Sequence, residues 1–165
     1  MNDPSLELAS TREELPRVLR RAMGFVRYAR DYVGAQSASL FLVDDDGTSM
    51  QGLLSDWDWT RTSFTTRLSD WPTVEQSLSE GDVRVITVAE AAGTETGWFE
   101  ARGVRTSICV PLRADVASAG VLFFDFEGGA CDERAIGMLG DVGRRCARAL
   151  ARATERGGSR TTWLH

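Results

Sequence analysis

Two apolar runs in the second half of the chain constrain its fold more than any other feature. GVRTSICVPL (Gly103 to Leu112) alternates apolar with small or polar residues, and GVLFFDF (Gly120 to Phe126) follows after a short polar connection, RADVASAG. Period-two alternation punctuated by Gly and Pro is the pattern of strands with a buried face, so the pair predicts a β-hairpin. A helix is expected directly afterwards, over Asp132 to Thr154. Its stripe of Ile136, Leu139, Val142, Cys146, Ala149, Leu150 and Ala153 repeats at helical spacing. Gly137, Gly140 and Gly143 recur every three residues along it. Each interior Gly costs about 1 kcal/mol relative to Ala, so their presence predicts close approach of another backbone.

The first half mirrors this arrangement. Leu15, Val18, Leu19, Ala22, Phe25, Val26, Ala29 and Val33 form a core-facing stripe, predicting a helix over Thr11 to Val33. Thr11 with Glu14 makes a capping box, Pro16 offers an alternative start in the first turn, and Gly34 is a C-terminal cap. ASLFLV (Ala38 to Val43) reads as a strand, with Met50 to Trp57 as its less regular partner. Between them Asp44-Asp45-Asp46-Gly47 suits a tight turn, because Asp and Gly accept positive φ. A calcium loop would need alternate ligands and a distal Glu that are not in place. Trp71-Pro72 opens a short helix to Ser79, Val83 to Val88 is a strand, and Ala89 to Glu100 is loop with a short helix.

Composition excludes more than it identifies. A length of 165 residues suits one domain, 42% apolar content is ordinary for a globular chain, and no apolar run is long enough to span a bilayer. The N-terminus carries no signal-like segment, so a cytoplasmic location is expected. A net charge of -5 argues against nucleic acid. All 19 basic residues are Arg, which removes phosphate-loop and Schiff-base lysine chemistry. The single His is the terminal His165, so triads and haem or zinc ligation lose their usual residue. Cys109, Cys131 and Cys146 are too widely spaced for a zinc site or a disulfide framework. Cys109 and Cys146 read as small hydrophobes, whereas Cys131, in a Gly-rich turn at a helix start, is the more reactive candidate.

The element order and three stretches together resemble a GAF domain, the bacterial signalling sensor family, over Thr11 to Thr154. The stretches are GVRTSICVPL with its Val-Pro-Leu end, ADVASAGVLFFDF, and Ser79-Glu80-Gly81-Asp82-Val83 at a helix-to-strand joint. The resemblance implies an α+β fold. Its central antiparallel sheet carries the N- and C-terminal helices on one face and a pocket covered by loops and short helices on the other. The expected limits are an extension over 1–10, a single domain over 11–155 and a disordered tail over 156–165. The branches with defined chemistry do not fit. No Cys-His pair exists for a linear tetrapyrrole, no internal His for haem, no Cys between Gly81 and Thr106 for sulfoxide reduction, and no Lys for the cyclic-nucleotide signature. No cofactor is therefore expected.

Strand alternation divides the residues between two faces. Ile108, Val110, Leu112, Leu122, Phe124 and Phe126 should meet the helices. Ser107, Cys109, Phe123 and Asp125, with Ser39 and Phe41, should floor the pocket, and Trp57, Trp59, Trp71 and Trp98 fall in its walls and lid. These aromatics can stack on a ligand or simply pack. Asp125, a carboxylate within an apolar strand, requires a partner such as Arg105 or Arg84, a ligand donor, or a wet strand end. The expected protein is a non-enzymatic, small-molecule-sensing regulatory domain of signal transduction. It would be a homodimer through its terminal helices and act on a partner protein, or form one module of a longer chain. A thiol enzyme or sensor using Cys131 or Cys109, and an adaptor or dimerisation module without ligand, are the alternatives.

Overall fold

The structure, a computed structural model, describes residues 4–55, 65–114, 117–129 and 132–155. Helix α1 spans Pro4–Val33 and is followed by β1 (Ser37–Val43), β2 (Ser49–Ser55) and β3 (Thr65–Arg67). A 3-10 turn at Leu68–Asp70 leads into α2 (Pro72–Glu80), β4 (Arg84–Thr87) and α3 (Thr94–Arg102). Strands β5 (Thr106–Ala114) and β6 (Ala117–Phe126) and helix α4 (Glu133–Glu155) complete the chain. The six strands form one sheet in the order β3-β2-β1-β6-β5-β4, with every neighbouring pair antiparallel.

Strand β6 lies between β1 and β5, aligning Ser37 with Asp125 and Ser39 with Phe123 on one side, and Ser107 with Asp125 and Cys109 with Phe123 on the other. The close strand approach depends on Gly120, where a Cβ would fall 2.1 Å from the Phe41 carbonyl oxygen. The hairpin expected from the sequence is longer than its apolar runs. Pairing continues through Arg113 with Ser118 and Ala114 with Ala117, beyond a register shift at Leu112/Arg113. Backbone hydrogen bonding carries strands past the point where side-chain alternation stops.

Helices α1 and α4 cover one face. Ala22, Met23, Val26 and Ala29 of α1 and Leu139, Cys146, Ala147, Leu150 and Ala153 of α4 pack on Leu40, Leu42, Ile108, Val110, Leu112, Leu122 and Phe124. Phe25, expected in the α1 stripe, is instead 51% exposed, and Met23 takes its place in the core. The α1 stripe faces both the sheet and α4, which rotates the buried arc toward Met23. The helix starts at Pro4 rather than Thr11 and continues through Pro16. Pro4 occupies a first-turn position where no N–H is required. Asp132 caps α4 as its start predicts, its Oδ1 accepting from the Ala135 amide at 2.7 Å.

Of the three glycines in α4, only Gly143 sits at a close approach. A Cβ there would lie 2.6 Å from Val110 Cγ1 and 3.2 Å from the Pro111 carbonyl. Nothing lies within 4 Å of that position at Gly137, and only ordinary contacts at Gly140. No helix among the described residues is long and apolar enough to cross a membrane.

Candidate functional site

The second face of the sheet carries Phe41, Val43, Cys109, Val121 and Phe123, covered by Trp71, Val74 and Leu78 around α2 and by Phe99 of α3. Trp98 of α3 packs against this cluster. The faces therefore divide as period-two alternation requires. Pro72 starts α2 at the position where proline costs no hydrogen bond, and Gly81 ends it in the left-handed conformation (φ 76°). Trp71 is anchored by its indole N–H, which donates to Thr66 Oγ1 of β3 at 3.0 Å. The sequence reading did not identify β3, because three residues are too few to show a period.

Between the two short helices and the strands lies a cluster of rings. Trp98 meets Phe41 edge-on with centroids 5.5 Å apart and Trp71 at 5.8 Å. Phe41, Trp71 and Phe123 are also in mutual contact at 5.6 to 6.1 Å. Edge-to-face geometry at these separations is favourable packing. A molecule reaching the strands from this side must displace or slide past these rings. Trp57 and Trp59 lie outside the described residues, as does Cys131.

Beside the rings is a buried polar group. Asp125 is 0% exposed. Its Oδ1 accepts from Ser107 Oγ at 2.7 Å and its Oδ2 from Ser37 Oγ at 3.0 Å. The cation is Arg102, at the C-terminal end of α3, with Nη2 3.3 Å from Asp125 Oδ2 and donating to Ser37 Oγ at 2.8 Å. The same guanidinium lies 4.5 Å over the Trp98 ring. Arg105 and Arg84, the partners expected from the sequence, do not fill this role: Arg105 is exposed and Arg84 pairs with Glu80. The helix carries Arg102 over the strand ends before the chain turns at Gly103, whereas Arg105 follows that turn. Burial pushes the Asp125 carboxyl above its ordinary value, with Arg102, Ser107 and Ser37 opposing the shift. Ser39, two residues along the same face from Ser37, is 1% exposed, and its hydroxyl makes no hydrogen bond among the described residues.

A second buried carboxylate joins the covering helices. Glu95 of α3 accepts from the Thr73 amide (2.8 Å), Thr73 Oγ1 (2.9 Å) and the Val74 amide (3.3 Å), satisfying donors in the first turn of α2. Sequence reasoning missed it, because an acidic residue in a helix first turn ordinarily reads as solvent-facing.

The acidic turn serves the hairpin between β1 and β2. Asp44 Oδ1 accepts from the Thr48 and Ser49 amides, and Asp46 Oδ1 from the Thr48 amide and hydroxyl, while Gly47 adopts φ 73°. Those bonds, led by the one from the Thr48 side chain, hold Asp46 below its ordinary value. Cys109 is buried, and its thiol is pushed up to about 12, chiefly by desolvation, against a hydrogen bond with Ser77. Burial likewise raises Cys146 to about 11. At neutral pH both are thiols rather than thiolates, a poor state for nucleophilic redox chemistry.

The outer side of α1 and α4 presents a different feature, a groove of about 900 Å³ flanked by Phe25, Tyr28, Met138 and Val142, with Arg21, Asp141 and Arg145 at its edges. Tyr28 and Tyr32 stack along α1 at 6.3 Å, and both are about two-thirds exposed.

Helices α1 and α4 packed on one side of a six-stranded antiparallel sheet, with α2 and α3 roofing the other, define the architecture. The GAF domain family model matches residues 18–150, and the chain belongs to this family. Solved structures agree in fold. The GAF domain/HD domain protein from Geobacter sulfurreducens aligns with TM-score 0.67 at 10% identity, covering 84% of this chain and 93% of that one. A GAF domain from an Acinetobacter phosphoenolpyruvate-protein phosphotransferase aligns with TM-score 0.65 at 14% identity, covering 96% and 99%. The phycocyanobilin-bound GAF domain of a cyanobacterial phytochrome aligns with TM-score 0.62 at 16% identity, covering 86% and 96%. No curated protein sequence matches.

Proposed function

We propose that this GAF domain is a non-enzymatic sensor module. It binds a small molecule on the sheet face beneath α2 and α3 and signals through α1 and α4 to a partner protein. The observation that carries this reading is the buried Asp125–Ser37–Ser107–Arg102 group beside the aromatic cluster. Polar groups converging in an otherwise apolar, roofed site give orientation and specificity to a bound molecule. The ligand set is Ser39, Phe41, Trp71, Trp98, Ser107, Cys109, Phe123 and Asp125, with Trp57 and Trp59 completing it from the sequence alone. Similarity to domains of sensor histidine kinases and a chemotaxis protein supports a bacterial signalling role. A ligand shifts the helices only by favouring one of their arrangements over another.

The terminal helices are also proposed to form the homodimer. Exposed Phe25, Tyr28 and Tyr32 fall on one side of α1, and two helices per subunit pair into a bundle under two-fold symmetry. Native mass spectrometry of freshly purified protein, followed by thermal-shift screening of metabolites, tests both parts. A retained or stabilising compound that alters tryptophan emission, in a dimer, is the expected result. A monomer that no compound stabilises overturns the reading. It would instead favour an adaptor, a reading supported by ring contacts that already occupy the space over the strands.

A further inference from the structure

Resting on the reading that the ligand meets the sheet beneath α3, we propose that this ligand is a small planar organic cation of the amidinium or guanidinium class. It would take the place of Arg102 on Asp125. The site has a fixed part and a removable part. Asp125, Ser37, Ser107 and Ser39 stand on β6, β1 and β5, three adjacent strands of the sheet. Arg102 and Trp98 stand on the nine-residue helix α3, above them. When α3 moves away, what remains is a carboxylate surrounded by hydroxyls, a floor that accepts hydrogen bonds and repels anions.

A fully buried carboxylate left without a cation is strongly unfavourable, so whatever displaces Arg102 must replace its charge and its donors. Arg102 also shows what the floor accepts: a flat cation bonded to Ser37 and Asp125. It does not use the whole floor. Ser39 presents a hydroxyl on the same face, between Ser37, which Arg102 reaches, and Phe41, which Trp98 covers. That hydroxyl has no partner among the described residues and is almost fully buried. A ligand somewhat larger than a guanidinium, with an N–H donor beyond the first contact, would reach both serines.

Benzamidinium is a suitable probe, compared with neutral benzamide and anionic benzoate of nearly the same shape. Binding to the intact chain is followed by calorimetry and tryptophan fluorescence. Benzamidinium should bind in the millimolar range expected of a fragment, about tenfold or more tighter than either isostere. Arg102→Met keeps an apolar stem against Trp98 and removes the tethered competitor, so affinity should rise about tenfold or more. Aminoguanidinium, with an N–H donor beyond its guanidinium, should bind severalfold more weakly to Ser39→Ala, a change that leaves the melting temperature of the free protein essentially unaltered, and Asp125→Asn should abolish binding of both cations. Preference for benzoate, no gain in Arg102→Met, or no benzamidinium binding at millimolar concentration overturns the assignment. If a compound of another class binds and perturbs the tryptophans while benzamidinium does not, the sensor reading stands and the cation assignment alone falls.

Discussion

Neighbouring residues of the same strands build two chemically different surfaces. On the α1–α4 side, Leu40, Leu42, Ile108, Val110, Leu122 and Phe124 pack with apolar side chains of both helices. On the α2–α3 side, Ser37, Ser39, Ser107 and Asp125 are just as deeply buried, beside Phe41 and Phe123. The first surface gains stability from dry area in proportion to what it hides. The second depends on matched partners, and every polar group on it costs free energy unless something answers it. A face built for stability alone has no use for a carboxylate buried at its strand ends.

Five substitutions sharpen or break this contrast. Phe124→Ala, in the dry core, should lose about 3–5 kcal/mol of unfolding free energy in urea titration, at any pH where the protein folds. A loss near 1 kcal/mol would mean that this side is not the close-packed one. Arg102→Met should cost about 3 kcal/mol at neutral pH, because the buried Asp125 loses its cation. That cost is pH-dependent. The Asp125 pKa in the folded protein lies above its ordinary 3.8, so this group favours folding most below that value and progressively less as pH rises through its folded pKa. Removing Arg102 raises the folded pKa further, so the deficit of Arg102→Met should shrink on acidification. A deficit independent of pH would show that the guanidinium contributes only packing.

Gly143→Ala should destabilise by about 1–2 kcal/mol, since overpacking against Val110 and the Pro111 carbonyl outweighs the better helix propensity of Ala. Gly137→Ala, with nothing within 4 Å, should stabilise slightly, and the opposite order in thermal melts would refute the close approach of α4 to β5. The smallest effect belongs to Ser39→Ala, which should be neutral or stabilising by a few tenths of a kcal/mol because it deletes a buried hydroxyl without a described partner. A loss above about 1 kcal/mol would reveal a structural hydrogen bond and weaken the case for a ligand there.

Much of the fold was legible because strands and helices leave short periods in the sequence. The alternation in Thr106 to Phe126 correctly predicted which residues of β5 and β6 face the helices. Proline and glycine marked the ends of α2, and Asp132 marked the start of α4. The candidate site was legible only in part. Asp125 stood out as a charge among hydrophobes, but the partners read from the sequence, Arg105 and Arg84, are not the one, since the pairing depends on where α3 lies over the sheet. Glu95 left no signal, because its role exists only when α2 and α3 abut. Phe25 was placed in the core because a stripe read from one helix cannot reveal how far a second helix rotates it.

Local order, then, was largely written in the sequence: most of the helical and extended segments and which residues share a strand face, though not β3, the start of α1 or the full length of the hairpin. Those outcomes follow from backbone sterics and hydrophobic periods over a few residues. Three things were decided only by tertiary packing: the choice of Arg102 for Asp125, the capping of α2 by Glu95, and the isolation of Ser39. Each concerns atoms distant along the chain, whose interaction depends on distance and dielectric created by the assembled sheet and its covering helices.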